Sequence, residues 1–330
     1  MKKEFISFPF AALVFAFCFS AEAQQPGKIP RIGFISARAE PTAATPDSTA
    51  DALRQGLQKL GYVEGKTLLV EYRYFGGKVD RIPSLVDELL QLKLDVLVSV
   101  NTLVIRAFKQ ATTITPIVVV INDDPVASGI VDSLARPGAN VTGLTRFTRE
   151  LSGKRMELLK ETIPKISRVA ILDDASTDIK ASFQDFAPAA RALKIELQSL
   201  EVHGPTPDLE GAFQAAVKRR VNALITVRTA LHINYRKQIA DLAIKHRLPS
   251  MSEGSDFVEA GNLISYSSND AEVFRRAAYF VDRILKGAKP GDLPFEQPTK
   301  FELLLNLKTA NQIGLVIPPN VLARADKVIR

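Results

Sequence analysis

Few residues in this 330-residue sequence are arranged to make or break bonds. There is no G-x-S-x-G elbow, no P-loop and no G-x-G-x-x-G turn. His203, His232 and His246 fall at a loop, a helix start and a helix end, without metal-ligand spacing. Cys18 is the only cysteine and sits in an N-terminal apolar run, so neither a thiol nucleophile nor a disulfide is expected once that run is removed. Asp173 and Asp174 are adjacent at a strand end, which by itself gives no acid/base partnership. The remaining candidates suit non-covalent grip. Arg228 directly follows an apolar run and offers two parallel donors to a carboxylate, with a surface ion pair as the competing use. Ser and Thr hydroxyls would support that fork, and Asp123 or Asp173 would take an ammonium.

The other candidates come from the same rule: in open parallel sheets, ligands bind beyond the carboxyl ends of the strands, near helix N-termini. It selects Ser36 and Arg38, with Thr42 and Thr45 further along; Ser99, Asn101 and Thr102; Asn122, Asp123 and Asp124; Thr145 and Arg146; Asp173, Asp174 and Ser176; Arg228 and Thr229; Ser252 and Glu253. Ser36, Thr102 and Asp124 are equally suited to capping helices. Tyr74, Phe75, Phe147 and Tyr266 could stack on a flat ligand, against core packing or a place at a hinge.

These positions depend on a βα alternation that the sequence runs through twice. Arg31–Ile35, Thr67–Arg73, Val96–Val100, Ile117–Ile121 and Asn140–Leu144 read as strands, mostly apolar throughout, as when helices cover both faces of a parallel sheet. Ala50–Leu60 and Ile82–Leu92 have helical spacing. After a helix at Glu150–Thr162 the pattern restarts. Strands are expected at Arg168–Leu172, Ile195–Leu200, Ala223–Val227, Leu248–Met251 and Asn262–Tyr266. Helices are expected at Thr177–Leu193, Asp208–Arg219 and His232–His246. Two series make two doubly wound lobes of α/β class. The amphipathic helix Asp270–Lys286 and strand Phe301–Leu307 are left over, so the chain is expected to cross between lobes several times, forming a multi-strand hinge. The expected division is 28–146 with 268–298, and 147–267 with 299–330.

The N-terminus carries Met1-Lys2-Lys3, thirteen nearly unbroken apolar residues from Phe8 to Ser20, and the A-x-A pattern Ala21-Glu22-Ala23. This is a secretory leader over 1–23, too short to span a bilayer, which takes roughly 20 residues. A mature start at Gln24 and a periplasmic location follow. Phe17 before Cys18 is too bulky for a lipoprotein signal. At 46% apolar and 24% charged, the composition is that of a folded domain pair without disorder beyond 24–29. Acids interleave with bases around the net charge of +7. That favours a solvated surface over nucleic-acid binding, and no stable membrane insertion is expected after leader removal.

Several blocks resemble a known family: Arg54-Gln55-Gly56-Leu57, Gly61-Tyr62-Val63-Glu64-Gly65, Val70-Glu71-Tyr72-Arg73, Asp80-Arg81-Ile82-Pro83, and Asp124-Pro125-Val126 through Asn140-Val141-Thr142-Gly143. Lys154-Arg155-Met156-Glu157-Leu158-Leu159 and the tail Leu285-Lys286-Gly287 to Ala325-Asp326 extend the match over nearly the whole chain after the leader. The chain is similar to ABC transporter substrate-binding proteins of the tryptophan/tyrosine type, which have the type I periplasmic-binding fold. The resemblance implies a non-enzymatic solute carrier with no cofactor, closing two lobes on a small molecule such as an aromatic amino acid and handing it to a membrane permease. A periplasmic sensor using the same fold is the rival reading, and an exported enzyme a second. Where the family often has Asn-Pro, this chain has Asp173-Asp174, and where its leaders often have twin arginine, this one has Lys2-Lys3.

Overall fold

The computed structural model describes residues 28–43, 45–122, 124–146, 149–175 and 179–330, with side chains of the last segment described from Ser182 onward. The leader with Cys18, the mature start, Asp123, Phe147 and Ser176 lie outside the described residues.

Five strands alternate with helices in the first half: β1 (Arg31–Ser36), α1 (Ser48–Lys59), β2 (Leu69–Tyr74), α2 (Ile82–Gln91), β3 (Val96–Ser99), α3 (Thr102–Ala111), β4 (Ile117–Ile121) and β5 (Val141–Thr145). They form an all-parallel sheet of order β2-β1-β3-β4-β5. Both faces are buried, which is why the strands are apolar without alternation. Ile32, Phe34, Val96, Val98, Val118 and Val120 face one core, and Ile35, Leu97, Ile117, Val119 and Ile121 face the other.

The second half continues with α4 (Ser152–Thr162), β6 (Arg168–Asp174), α5 (Ile179–Ala192), β7 (Glu196–Val202), α6 (Leu209–Lys218), β8 (Ala223–Thr226), α7 (Ala230–Asn234), α8 (Arg236–Lys245), β9 (Ser250–Ser252), α9 (Ser255–Glu259), β10 (Ile264–Ser268), α10 (Asp270–Leu285), β11 (Phe301–Asn306), α11 (Leu307–Ile313), α12 (Pro319–Leu322) and β12 (Lys327–Ile329). Its sheet runs β12-β11-β10-β9-β8-β6-β7. Strands β7-β6-β8-β9-β10 repeat the winding order of the first sheet. Beyond them β11 pairs antiparallel with β10, so the second sheet is not parallel throughout.

Helix α10 does not pack on the sheet that precedes it. Its Phe274, Ala277, Phe280 and Val281 join the core that α1 and the first sheet share. The α1–α10 contact is so close that a Cβ on Gly56 would lie 2.7 Å from both the Ala278 Cβ and the Arg275 carbonyl oxygen. The chain therefore passes between the two sheets near 146–151, 268–270 and 296–301, and Leu144 of β5 bridges Glu296 in the last of these.

Two expectations need correction. The single helix His232–His246 is two, α7 and α8, broken at Tyr235 (φ −101°, ψ 11°). Helix α3, with Val104, Ile105 and Phe108 buried, fills a stretch in which no helix was expected.

Candidate ligand-binding cleft

Both sheets point the carboxyl ends of their strands at one shared cavity of about 1130 Å³, at the large end of the range for small-molecule sites. The order reverses between β1 and β3 in the first sheet and between β6 and β8 in the second, and the cavity is lined from both of these switch points.

The expected residues divide into three groups. Ser36, Arg38, Asn101, Thr102, Asn122, Asp124, Arg146, Asp174, Arg228, Thr229 and Glu253 line the cavity. Asp123 and Ser176 are outside the described residues. Thr145, Asp173 and Tyr266 are not on its wall. Thr145 is buried at the end of β5, its N–H donating to the Glu296 carbonyl at 3.0 Å. Tyr266 packs against the second lobe's core, with its ring 6.0 Å from that of Phe301. Asp173 is fully buried, and its neighbour Asp174 faces the cavity instead. Burial pushes the Asp173 carboxyl up to about 7, with Ser182 partly offsetting the shift and Glu253, Glu201 and Asp174 adding to it.

Several of the lining residues serve the backbone. Asn101 caps α3, its Oδ1 accepting from Leu103 N at 2.9 Å and Val104 N at 3.2 Å. Asp124 Oδ1 accepts from Val126 N at 2.8 Å and Ala127 N at 3.2 Å. Ser36 Oγ accepts from Arg38 N at 3.3 Å. The aromatics on the wall are Phe186 and Phe274 rather than Tyr74, Phe75 or Tyr266, and Phe274 packs under the Arg146 guanidinium, 5.3 Å away.

The floor of the cleft is a chain of buried ion pairs. Arg38 reaches Asp47 (Nε–Oδ1 3.4 Å) and Asp256 (Nη2–Oδ2 2.9 Å). Arg228 holds Asp256 through Nη1 at 2.7 Å and Nη2 at 3.3 Å, and Asp270 through Nη2 at 2.9 Å. Asp270 also accepts from Arg146 Nε at 2.8 Å. Glu253 accepts from the Arg228 backbone N–H at 2.9 Å and from Arg155 Nη1 at 3.2 Å. Burial works against the ionised Asp256, but the Arg228 and Arg38 guanidiniums outweigh it and hold the carboxyl well below its ordinary range. Four guanidiniums (Arg38, Arg146, Arg155, Arg228) face four carboxylates (Asp47, Glu253, Asp256, Asp270), so the floor is neutral. Arg228 is thus not a free fork awaiting a carboxylate; two carboxylates already occupy it. A Cβ on Gly254 would fall 2.0 Å from Arg228 Nη1 and 2.6 Å from Asp256 Oδ1, so only glycine lets this pair pass over the backbone there.

His232, whose position raised the question of a ligand role, is a core residue. Its Nδ1 lies 2.9 Å from the Val227 carbonyl oxygen, and burial pushes it down to about 4. Asp256, Asp270 and Asn234 went unnoticed in the sequence because partners of each lie far away along the chain, 218 positions for Arg38–Asp256, whereas Asp47 is a local cap of α1. Arg155 carried a signal, as a charged residue on an otherwise core-facing turn of α4.

Two lobes of like winding with a cavity at their facing strand ends make a two-lobed α/β binding fold. The ABC transporter substrate binding protein family matches residues 43–329, and the chain belongs to that family. It is a family of binding proteins, not of enzymes. A conserved domain protein from Vibrio cholerae has a solved structure similar to this one at a TM-score of 0.81, with 26% identity, covering 91% of this chain and 100% of that one. The ABC domain from Streptococcus pneumoniae, solved in complex with L-Trp, gives a TM-score of 0.80 at 21% identity over 91% of this chain and 99% of that one. A tyrosine-binding protein from Clostridioides difficile is 20% identical over 269 residues, 82% of this chain and 77% of that protein. Among the described residues no helix is long and apolar enough to cross a membrane.

Proposed function

We propose that this protein is the periplasmic solute-binding component of an ABC importer, that it closes on an amino acid with an aromatic side chain, and that it delivers this ligand to a membrane permease. The observation that carries the reading is the single cavity shared by the strand ends of both sheets, in a chain of this family. The aromatic ligand is suggested by what the similar proteins bind, L-Trp and tyrosine. Export rests on the leader over 1–23, with the mature chain starting at Gln24.

In this reading residues 28–146 with 268–298 move as one lobe and 147–267 with 299–330 as the other, hinged at the three crossings. Polar groups of the ligand meet Asn101–Thr102 and Asp124 on one wall and Asp174 on the other. Arg38, Arg228 and Glu253 act as the neutral floor.

A thermal-shift screen against the common amino acids tests the ligand class. A ligand present at about 100 times its Kd stabilises the folded form by about 2.7 kcal/mol, so L-tyrosine or L-tryptophan should raise the melting temperature by several degrees. A flat response to both would remove the aromatic assignment, and a flat response to every amino acid would remove the class.

A further inference from the structure

Two side chains that are absent from the cavity wall join the two lobes. Asn234 is the last residue of α7 and Asp256 lies on α9, both packed with the second sheet. Opposite them run the residues that follow β1 of the first sheet. Asp256 Oδ2 accepts from Arg38 Nη2 at 2.9 Å. Asn234 Oδ1 accepts from Ala39 N at 2.7 Å, and Asn234 Nδ2 donates to the Ala37 carbonyl at 2.9 Å. Any parting of the lobes at the end of β1 must break all three.

What marks these contacts is how little is stranded when they break. Arg38 keeps Asp47 in its own lobe, and Asp256 keeps Arg228 in its own. Asn234 Nδ2 keeps the Ala230 carbonyl at 2.9 Å within α7. Breaking a buried ion pair is costly chiefly because a lone charge is left behind. Here both charged groups and the Asn234 amide nitrogen retain a partner on their own side, and only neutral groups are released to solvent, so the junction can open and close reversibly. The Arg155–Glu253 pair, by contrast, has no such division: both residues lie in the second lobe.

We propose that Asn234 and Asp256, gripping the Ala37–Ala39 segment, form a latch that sets the share of molecules with the lobes closed, and so sets ligand affinity without touching the ligand. The inference rests on the two-lobe binding reading above. A ligand that needs the closed form binds with an affinity reduced by the fraction in which that form is absent. Loosening the latch therefore weakens binding even though neither Asn234 nor Asp256 lines the cavity.

The test reads the lobes directly. Spin labels are placed at Lys59→Cys on α1 and Lys218→Cys on α6, both exposed, in protein carrying Cys18→Ser, and distances are measured with no ligand added. The parent should show mainly the short distance. Asn234→Ala and Asp256→Asn should each raise the ratio of long to short by roughly tenfold, within the usual range of coupling between sites. Unchanged distances in both variants would overturn the latch. Should Asp256→Asn fail to fold, Asn234→Ala, which removes only hydrogen bonds, still decides. In a second arm, L-tyrosine and L-tryptophan are titrated into the same proteins, with binding weakened by the ratio of the closed fractions, about twofold for a parent that is roughly nine-tenths closed, and faster dissociation expected in the variants. Shifted distances with neither amino acid bound by the parent would uphold the latch and remove the ligand assignment. Normal binding by the parent, with equal affinity and equal distances in the variants, would uphold the ligand and remove the latch.

Discussion

The floor and the walls of the cleft are built on opposite electrical plans. On the floor, the guanidiniums of Arg38, Arg146 and Arg228 alternate with the carboxylates of Asp47, Asp256 and Asp270, each within hydrogen-bond or ion-pair reach of the next. On the wall of the second lobe, Asp174 faces the cavity beside Asp173, whose carboxyl is fully buried. A neutral, internally satisfied floor has no charge to spare for a ligand. In the proposed reading its arginines hold the lobes and the crossings in register, and the walls tell a ligand from its competitors. Strand-end position alone therefore does not identify a ligand contact: Arg228 and Asp174 both follow core strands, yet only Asp174 stands outside the floor's paired chain.

The strongest way to break this contrast is Arg228→Ala. It would leave Asp256 with Arg38 and Asp270 with Arg146 but one negative charge of the buried chain uncompensated, where the Asp256 charge already raises the proton affinity of Asp270. Losing one partner of a buried charge pair costs about 3–5 kcal/mol. Denaturant unfolding should show that loss with no ligand present. A variant as stable as the parent would make Arg228 a ligand group after all.

Gly254→Ala probes the same floor without removing a charge. The new methyl would collide with both Arg228 and Asp256, and overpacking of this kind costs about 1–3 kcal/mol. The same unfolding measurement checks it, and an unaffected midpoint would mean that the pair does not cross Gly254 in solution.

The smallest expected effect lies under the wall. The folded Asp173 carboxyl sits near 7, above its ordinary 3.8, so the folded state holds this proton more tightly than the unfolded chain does. Its stabilising contribution is full below about pH 4 and is lost as the pH climbs through about 7. Asp173→Asn should therefore raise the melting temperature at pH 8 by ~2–4 °C and leave it nearly unchanged at pH 4. An equal effect at both pH values would mean that the carboxyl is not protonated in the fold.

Much of the architecture was legible because it is written in local periodicity. Short, continuous, β-branched apolar runs such as Ile117–Ile121 are typical of strands covered on both faces, and their two-fold repetition implied two sheets. Short elements whose shape is set by tertiary contact were not legible. Helix α9 has five residues, too few for a 3.6-residue period to show, and it is the element that carries Asp256. Tyr235 broke an apparently continuous helix because its hydroxyl is tied to the Pro205 carbonyl at 2.6 Å, outside the helix. In the cleft, the strand-end rule found the right neighbourhood, and eleven of its choices line the cavity, from Ser36 to Glu253. It could not tell a cap such as Asn101 from a floor residue such as Arg38, because that distinction depends on partners more than a hundred positions away.

The account turns on whether a ligand is held by the walls over an intact floor. A crystal structure grown with whichever of L-tyrosine and L-tryptophan gives the larger thermal shift tests this most directly. The account predicts the amino acid in the shared cavity, contacting residues from both sheets, with Arg228 still bound to Asp256 and Asp270. A ligand carboxylate seated on an Arg228 that has left those partners, or a ligand bound outside the cavity, would contradict it.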